Sequence, residues 1–195
     1  MKNVVFLSVY ICLSSMLVAC EKAPALDNYS GLVNKFVGTG GDGRVAPVAS
    51  VPFGMMQLGA DTRSFGSGYH YNDTTILGFS HLHKSGGGCA DFLDILFMPL
   101  PQRTAVDEVH ELPSQHFRSS FSHEHEEAVP GHYQVDLYGG DVSVELTASR
   151  RCGIQRYTYQ EAGRMPVLID LEYGSQCACT IQPEHDVDTV YASFI

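Results

Sequence analysis

His132-Tyr133-Gln134-Val135-Asp136-Leu137-Tyr138-Gly139-Gly140-Asp141-Val142-Ser143-Val144-Glu145-Leu146-Thr147-Ala148 is the stretch whose reading decides the fold. Val142, Val144 and Leu146 are apolar while Ser143, Glu145 and Thr147 are polar. A period of two puts one face of a strand in a core and the other in water. Residues 132–138 have strand character too, and Gly139-Gly140-Asp141 between the runs is a turn signal. On either side, residues 53–58, 76–83, 92–98, 154–159, 167–171 and 179–182 carry β-branched and aromatic residues bordered by Gly or Pro. After residue 20, no window of a dozen residues free of Gly and Pro shows apolar positions at i, i+3, i+4 and i+7. The expected class is all-β, a β-sandwich, preceded by a signal-peptide helix.

The start explains that helix. Met1-Lys2-Asn3 is followed by an apolar run over 4–18 and then Ala19-Cys20, the pattern of an export signal. The run, interrupted by Ser14 and Ser15, falls short of the roughly 20 residues of a permanent span. Leu17-Val18-Ala19-Cys20 resembles the lipobox of bacterial lipoproteins, which implies removal of 1–19 and lipidation of Cys20. The competing reading is an ordinary signal peptide cut nearby with Cys20 unmodified. Residues 20–29 read as a short polar tether. The expected address is outside the cytoplasm, in the periplasm or at the outer membrane and cell surface, held through the lipid alone; Glu21 favours the outer membrane.

Twelve Lys+Arg stand against 22 Asp+Glu, and Arg150-Arg151 is the densest basic pair. That balance excludes nucleic acid as a partner and leaves neutral ligands such as sugars open. Of the six cysteines, Cys12 and Cys20 belong to the leader, leaving Cys89, Cys152, Cys177 and Cys179 in an oxidising compartment. One C-x-C without a spaced partner pair is a weak zinc signal.

Three segments carry chemistry. Gly38-Thr39-Gly40-Gly41-Asp42-Gly43 fits G-x-G-x-x-G, yet Pro47 and Pro52 follow where a dinucleotide site needs a helix, so a tight turn is expected. In 78–91, His81 and His83 would share one face of a strand, with Ser85, Cys89 and Asp91 returned nearby by Gly86-Gly87-Gly88. A metal site, a Cys89–His pair, a sugar-binding polar cluster and a stiffening hydrogen-bond network all fit those residue types. Ser122-His123-Glu124-His125-Glu126-Glu127 offers carboxylates and imidazoles, read as a solvated loop face rather than a glycosidase acid pair.

Ordered motifs over nearly the whole mature chain join these segments. They run from Val33-Asn34 and Gly38-Thr39-Gly40-Gly41 through Val51-Pro52-Phe53-Gly54-Met55-Met56-Gln57-Leu58, Asp61-Thr62-Arg63, Gly68-Tyr69-His70-Tyr71 and Gly78-Phe79-Ser80-His81. They continue through Ser85-Gly86, Gly88-Cys89, Asp94-Ile95-Leu96, Phe121-Ser122-His123-Glu124 with Glu126-Glu127-Ala128, Pro130-Gly131-His132-Tyr133 and Glu145-Leu146-Thr147-Ala148. In this the chain resembles the N-terminal region of glycoside hydrolase family 92, exported calcium-dependent exo-α-mannosidases. The resemblance implies that 30–195 form a sandwich of galactose-mutarotase-like supersandwich type that rims a sugar pocket. It also implies a C-terminal (α/α)₆ domain that supplies the acid, the base and most calcium ligands; this half is expected to be missing from the chain, a partner if encoded separately. The expected function is a carbohydrate-binding or structural domain acting on α-mannose-containing glycans and inactive alone. A surface glycan-binding lipoprotein without catalysis and a small metal-dependent hydrolase using His81 and His83 are the rivals. No catalytic or metal residue is assigned; the carried-over glycan contacts are Tyr69, His70, Tyr71, His81, His83, Ser85, Gly88, Cys89 and Asp91. Asp42, Arg44, Ala46-Pro47-Val48 and Lys84 depart from the family pattern and bear on linkage and sugar choice.

Overall fold

The computed structural model describes residues 29–87, 92–104, 114–171, 173–174, 179–183 and 190–194. The leader, Cys20, the tether and Gly88, Cys89 and Asp91 lie outside them. Among the described residues there is no α-helix, only 3-10 turns and strands. The deciding stretch forms β7 (His132–Leu137) and β8 (Val142–Ala148), flanked by β6 (Glu126–Val129) and β9 (Gly153–Tyr159). These four pair in the order β6-β7-β8-β9, antiparallel throughout. Register places Tyr133 opposite Leu146, Val135 opposite Val144 and Leu137 opposite Val142, so the apolar row of each strand meets that of its neighbour.

The turn between β7 and β8 needs positive φ: Gly139 is at 73° and Gly140 at 104°. Tyr138, at φ 54°, adopts the same region without being glycine. Ser119 Oγ accepts from its backbone N–H (2.9 Å), and its hydroxyl reaches the Pro99 and Phe117 carbonyls (3.2 and 3.4 Å). Three fixed partners hold a conformation that costs on the order of 1 kcal/mol.

A second sheet has the order β1-β3-β4-β10, from β1 (Gly59–Asp61), β3 (Gly78–Ser80), β4 (Leu96–Pro99) and β10 (Val167–Asp170). Leu58, Ala60, Phe79, Met98 and Leu100 from this side share one buried cluster with Tyr133, Val135, Leu137, Val142, Val144 and Leu146. Two sheets closing on one apolar layer make the expected β-sandwich. A short pair, β2 (Thr75–Ile76) with β5 (Ser119–Ser120), and a hairpin of β11 (Cys179–Pro183) with β12 (Val190–Phe194) complete the strands.

Three strand expectations are corrected. Residues 53–57 form no strand: Gly54 N–H returns to Val51 O (3.0 Å), closing a turn through Pro52 with Phe53 at φ 57° and fully exposed. Residues 76–83 break at Leu77, whose N–H goes to Asp61 O, and the second strand ends at Ser80. His81 and His83 therefore do not share a strand face. The 92–98 run is extended only from Leu96, because Phe92 and Leu93 take positive φ.

The faces assigned to the β6-β7-β8-β9 sheet are tested by truncation. Leu146→Ala, at a fully buried position, should cost about 2–5 kcal/mol in urea unfolding. Thr158→Ala, on the exposed face of β9, should stay within about 0.5 kcal/mol. Equal costs would contradict the alternation.

Candidate functional site

The Gly-rich turn comes first, because it brings the other segments to one end of the sandwich. Gly38 (φ 81°) and Gly41 (φ 57°) bend the chain, and Val45 N–H closes on Gly38 O at 3.1 Å. A Cβ on Gly43 would lie 2.3 Å from Gly38 O, so the turn excludes any side chain there. No helix opens at the third glycine. Tyr71 N–H donates to Thr39 O (3.0 Å), tying the Tyr69–Tyr71 segment to the turn. Ser85 Oγ accepts from Ala46 N–H (3.2 Å), and Gly86 N–H donates to Arg44 O (2.7 Å), tying the 85–86 loop to it as well.

Of the expected contacts in Tyr69-His70-Tyr71, the first is buried, the second half-buried and the third exposed. Tyr69 is buried, and its hydroxyl donates to Glu126 Oε1 and Oε2 (2.9 and 3.0 Å). His70 lines a cleft of about 190 Å³ with Arg44, Arg63 and Phe65, and its Nδ1 accepts from Asn72 N–H. Arg63 is committed to Asp73 by two bonds (2.8 and 2.5 Å). Burial would raise the Asp73 carboxyl, but the Arg63 and Thr62 hydrogen bonds override it and hold the group below its ordinary range. Tyr71 stands over a shallow cleft of about 310 Å³ lined by Asn34, Phe36, Val37, Thr39 and Gly40. Its ring meets Phe36 edge-on at 5.8 Å and stacks on His123 at 4.0 Å with 2° between planes.

Glu126 is the residue that sequence reasoning missed. Its side chain is fully enclosed, and besides Tyr69 it accepts from Tyr133 Oη (2.6 Å) and His123 Nδ1 (2.5 Å). Burial first, and then the Glu126 charge, push the phenols of Tyr69 and Tyr133 up, so both remain donors. The solvated reading of 122–127 holds for Ser122, Glu124, His125 and Glu127, which are exposed, and is corrected at Glu126, which with Ala128 points inward from β6. The signal was available in Pro130-Gly131, a turn that pairs Glu126 with Val135 and Ala128 with Tyr133.

His83 belongs to a separate cluster. Asp61 and Ser80 project from β1 and β3 to the side opposite Ala60 and Phe79, where His83 meets them, fully buried. Nδ1 of His83 faces Gln57 O (2.9 Å), and Nε2 lies 3.2 Å from Asp61 Oδ1 and 3.5 Å from Ser80 Oγ. The approach to Asp61 Oδ1 is close but not aligned; among the described residues it is the one buried side-chain oxygen left without a hydrogen bond. The other oxygen accepts from Ser80 N–H (2.9 Å). Ser, His and Asp do not form a nucleophilic relay, because serine and aspartate both address Nε2. The cluster is a sealed ion pair. His81, partly buried, instead meets Phe97 edge-on (4.9 Å), with its Nε2 3.4 Å from the Gln155 amide.

Burial pushes the His83 imidazole down, but the Asp61 charge and the Gln57 carbonyl push it up further, so the net direction is above its ordinary value. Below about pH 6.5 the ring is protonated folded and unfolded, and the pair's contribution to stability is fully present. As pH rises through the folded-state value, above 6.5, the proton leaves and that contribution is lost. Denaturant unfolding should show stability falling on the alkaline side of pH 6.5, and His83→Gln should flatten this dependence. An unchanged slope in the variant would contradict the pair.

The family model for the glycosyl hydrolase family 92 N-terminal domain matches residues 32–191. A family GH92 α-mannosidase from Bacteroides thetaiotaomicron, solved with mannoimidazole, is 38% identical with a TM-score of 0.65, over 78% of this chain and 21% of that one. The GH92 glycosyl hydrolase ccman5 is 29% identical with a TM-score of 0.69, over 86% of this chain and 24% of that one. A protein of Arthroderma benhamiae, described as an uncharacterized secreted glycosidase, is 28% identical over 71% of this chain and 19% of its own length. The chain thus spans about a fifth to a quarter of the relatives it matches. With the match running through the Gly-rich turn, the Tyr69–Tyr71 segment and the β6-β7-β8-β9 sheet, this chain belongs to glycosyl hydrolase family 92 and carries its N-terminal domain.

Proposed function

We propose that this chain is the glycan-recognising N-terminal domain of an exported α-mannosidase-like glycosidase, contributing binding surface rather than the acid and base. The supporting observation is Tyr71: an aromatic residue at 39% exposure over a cleft that Asn34 also lines, in a chain of this family. Sugar rings bind through one apolar face and peripheral hydroxyls, which an aromatic plane beside a polar amide complements. Tyr69 supports this surface through Glu126, to which its hydroxyl is committed, while His83 stays in its separate buried cluster. His70, His81, Ser85, Gly88, Cys89 and Asp91 are proposed as the remaining contacts.

Calcium dependence is proposed for the whole enzyme only. Among the described residues no three His, Cys, Asp or Glu side chains converge on a point where a cation would sit, so none is named as a ligand. The same observation, with both His83 nitrogens facing acceptors, tells against a hydrolase built on His81 and His83. A helical catalytic domain is the proposed partner, and a lipid on Cys20 the proposed anchor.

Calorimetry on the purified chain should detect α-1,2-mannobiose, and Tyr71→Ala should weaken it about tenfold, the loss expected for one aromatic contact. With calcium and an aryl α-mannoside, the same chain should give no turnover. Binding without turnover supports this reading; turnover would require an acid and base within the chain, and no heat with mannobiose would remove the glycan. For the anchor, Cys20→Ser should move the expressed protein from the membrane to the soluble fraction, and an unchanged distribution would refute lipidation.

A further inference from the structure

Resting on the glycan reading of Tyr71, we propose that Glu126 and His123 are positioning residues that hold the Tyr71 ring as a stacking platform for one neutral pyranose. A tyrosine at a turn has two free side-chain torsions and, when exposed, loses that freedom on binding. Here the freedom is removed beforehand. Tyr71 N–H is fixed to Thr39 O (3.0 Å), and its carbonyl accepts from His123 Nε2 at 2.7 Å. The two rings lie parallel at 4.0 Å, with Phe36 edge-on to Tyr71 and Phe121 edge-on to His123 at 5.2 Å.

His123 can do this because its two nitrogens reach in opposite directions, Nδ1 to Glu126 Oε2 and Nε2 to Tyr71 O. The ring is anchored on a carboxylate sealed in the core, whose remaining capacity is taken by Tyr69 and Tyr133. Thus the chain of contacts runs from the β7 strand through Glu126 and His123 to a ring at the surface. Glu126 touches no ligand in this scheme; it acts through His123 on Tyr71. The cleft beside Tyr71, which Asn34 and Val37 also line, suits a sugar ring without charge, since no carboxylate or guanidinium lines it.

The test separates placement from binding. In an aromatic NMR spectrum of the full chain, inter-ring contacts between Tyr71 and Phe36 report the platform's position. They should be present in the native protein and lost in Glu126→Gln and in His123→Ala. The second variant removes only a partly exposed side chain and is included in case the first fails to fold. Both variants should bind α-1,2-mannobiose about tenfold more weakly, matching Tyr71→Ala. Retained inter-ring contacts in His123→Ala would overturn the inference, and so would lost contacts with unchanged affinity. If the native chain binds no mannobiose, or Tyr71→Ala binds as tightly as the native chain, the glycan reading fails instead, and the contacts still decide whether Glu126 and His123 place the ring.

Discussion

A carboxylate buried in an apolar layer must be met by donors on every side, and Glu126 imposes that condition on one end of this sandwich. It lies in the inward row of β6, opposite Val135, where an aliphatic residue would be expected. Leaving such a charge unpaired would cost several kcal/mol. Tyr69, Tyr133 and His123 converge on it from three separate parts of the chain. Once they do, Tyr71 and the Gly-rich turn have little choice of position, because His123 and Thr39 bind the Tyr71 backbone from opposite sides.

The second buried charge pair, Asp61 with His83, does different work. It joins β1 to the chain that leaves β3 and lets the loop beyond Ser80 cover the outer side of that sheet. Gly68 sits against it so closely that a Cβ would come within 2.5 Å of Asp61 Oδ1. Both ends of the 62–68 loop are thereby held, since Thr62 and Arg63 N–H also return to Gly68 O. One pair organises the loop that carries Tyr69–Tyr71, and the other fixes where that segment lands.

Much of this was legible in the sequence. β8 follows from alternation, because an amphipathic strand in a sandwich has no other way to fill one face, and β7, β9 and β10 follow from β-branched and aromatic residues bounded by glycine and proline. The 53–58 run was misread because Phe53 and Met55 are apolar yet exposed, and Pro52 with Gly54 overrules their strand preference. Glu126 was hidden by its type: a glutamate in an acidic run resembles surface, and only the hairpin implied by Pro130-Gly131 gives it an inward address. Asp61 and His83 could not be paired from sequence, since nothing local links residues 22 positions apart. The family could be seen in ordered motifs, whereas which motif residues face solvent required the fold.

The central claim is that glycan meets this chain on the face built above Glu126. Mapping backbone and aromatic chemical shifts of the labelled chain during titration with α-1,2-mannobiose tests it most directly. The account predicts perturbations centred on Asn34, Phe36, Thr39, Tyr71 and His123. Perturbations centred instead on the cleft of Pro101, Asp141 and Tyr159, or on the outer face at Ile154 and Arg156, would contradict it.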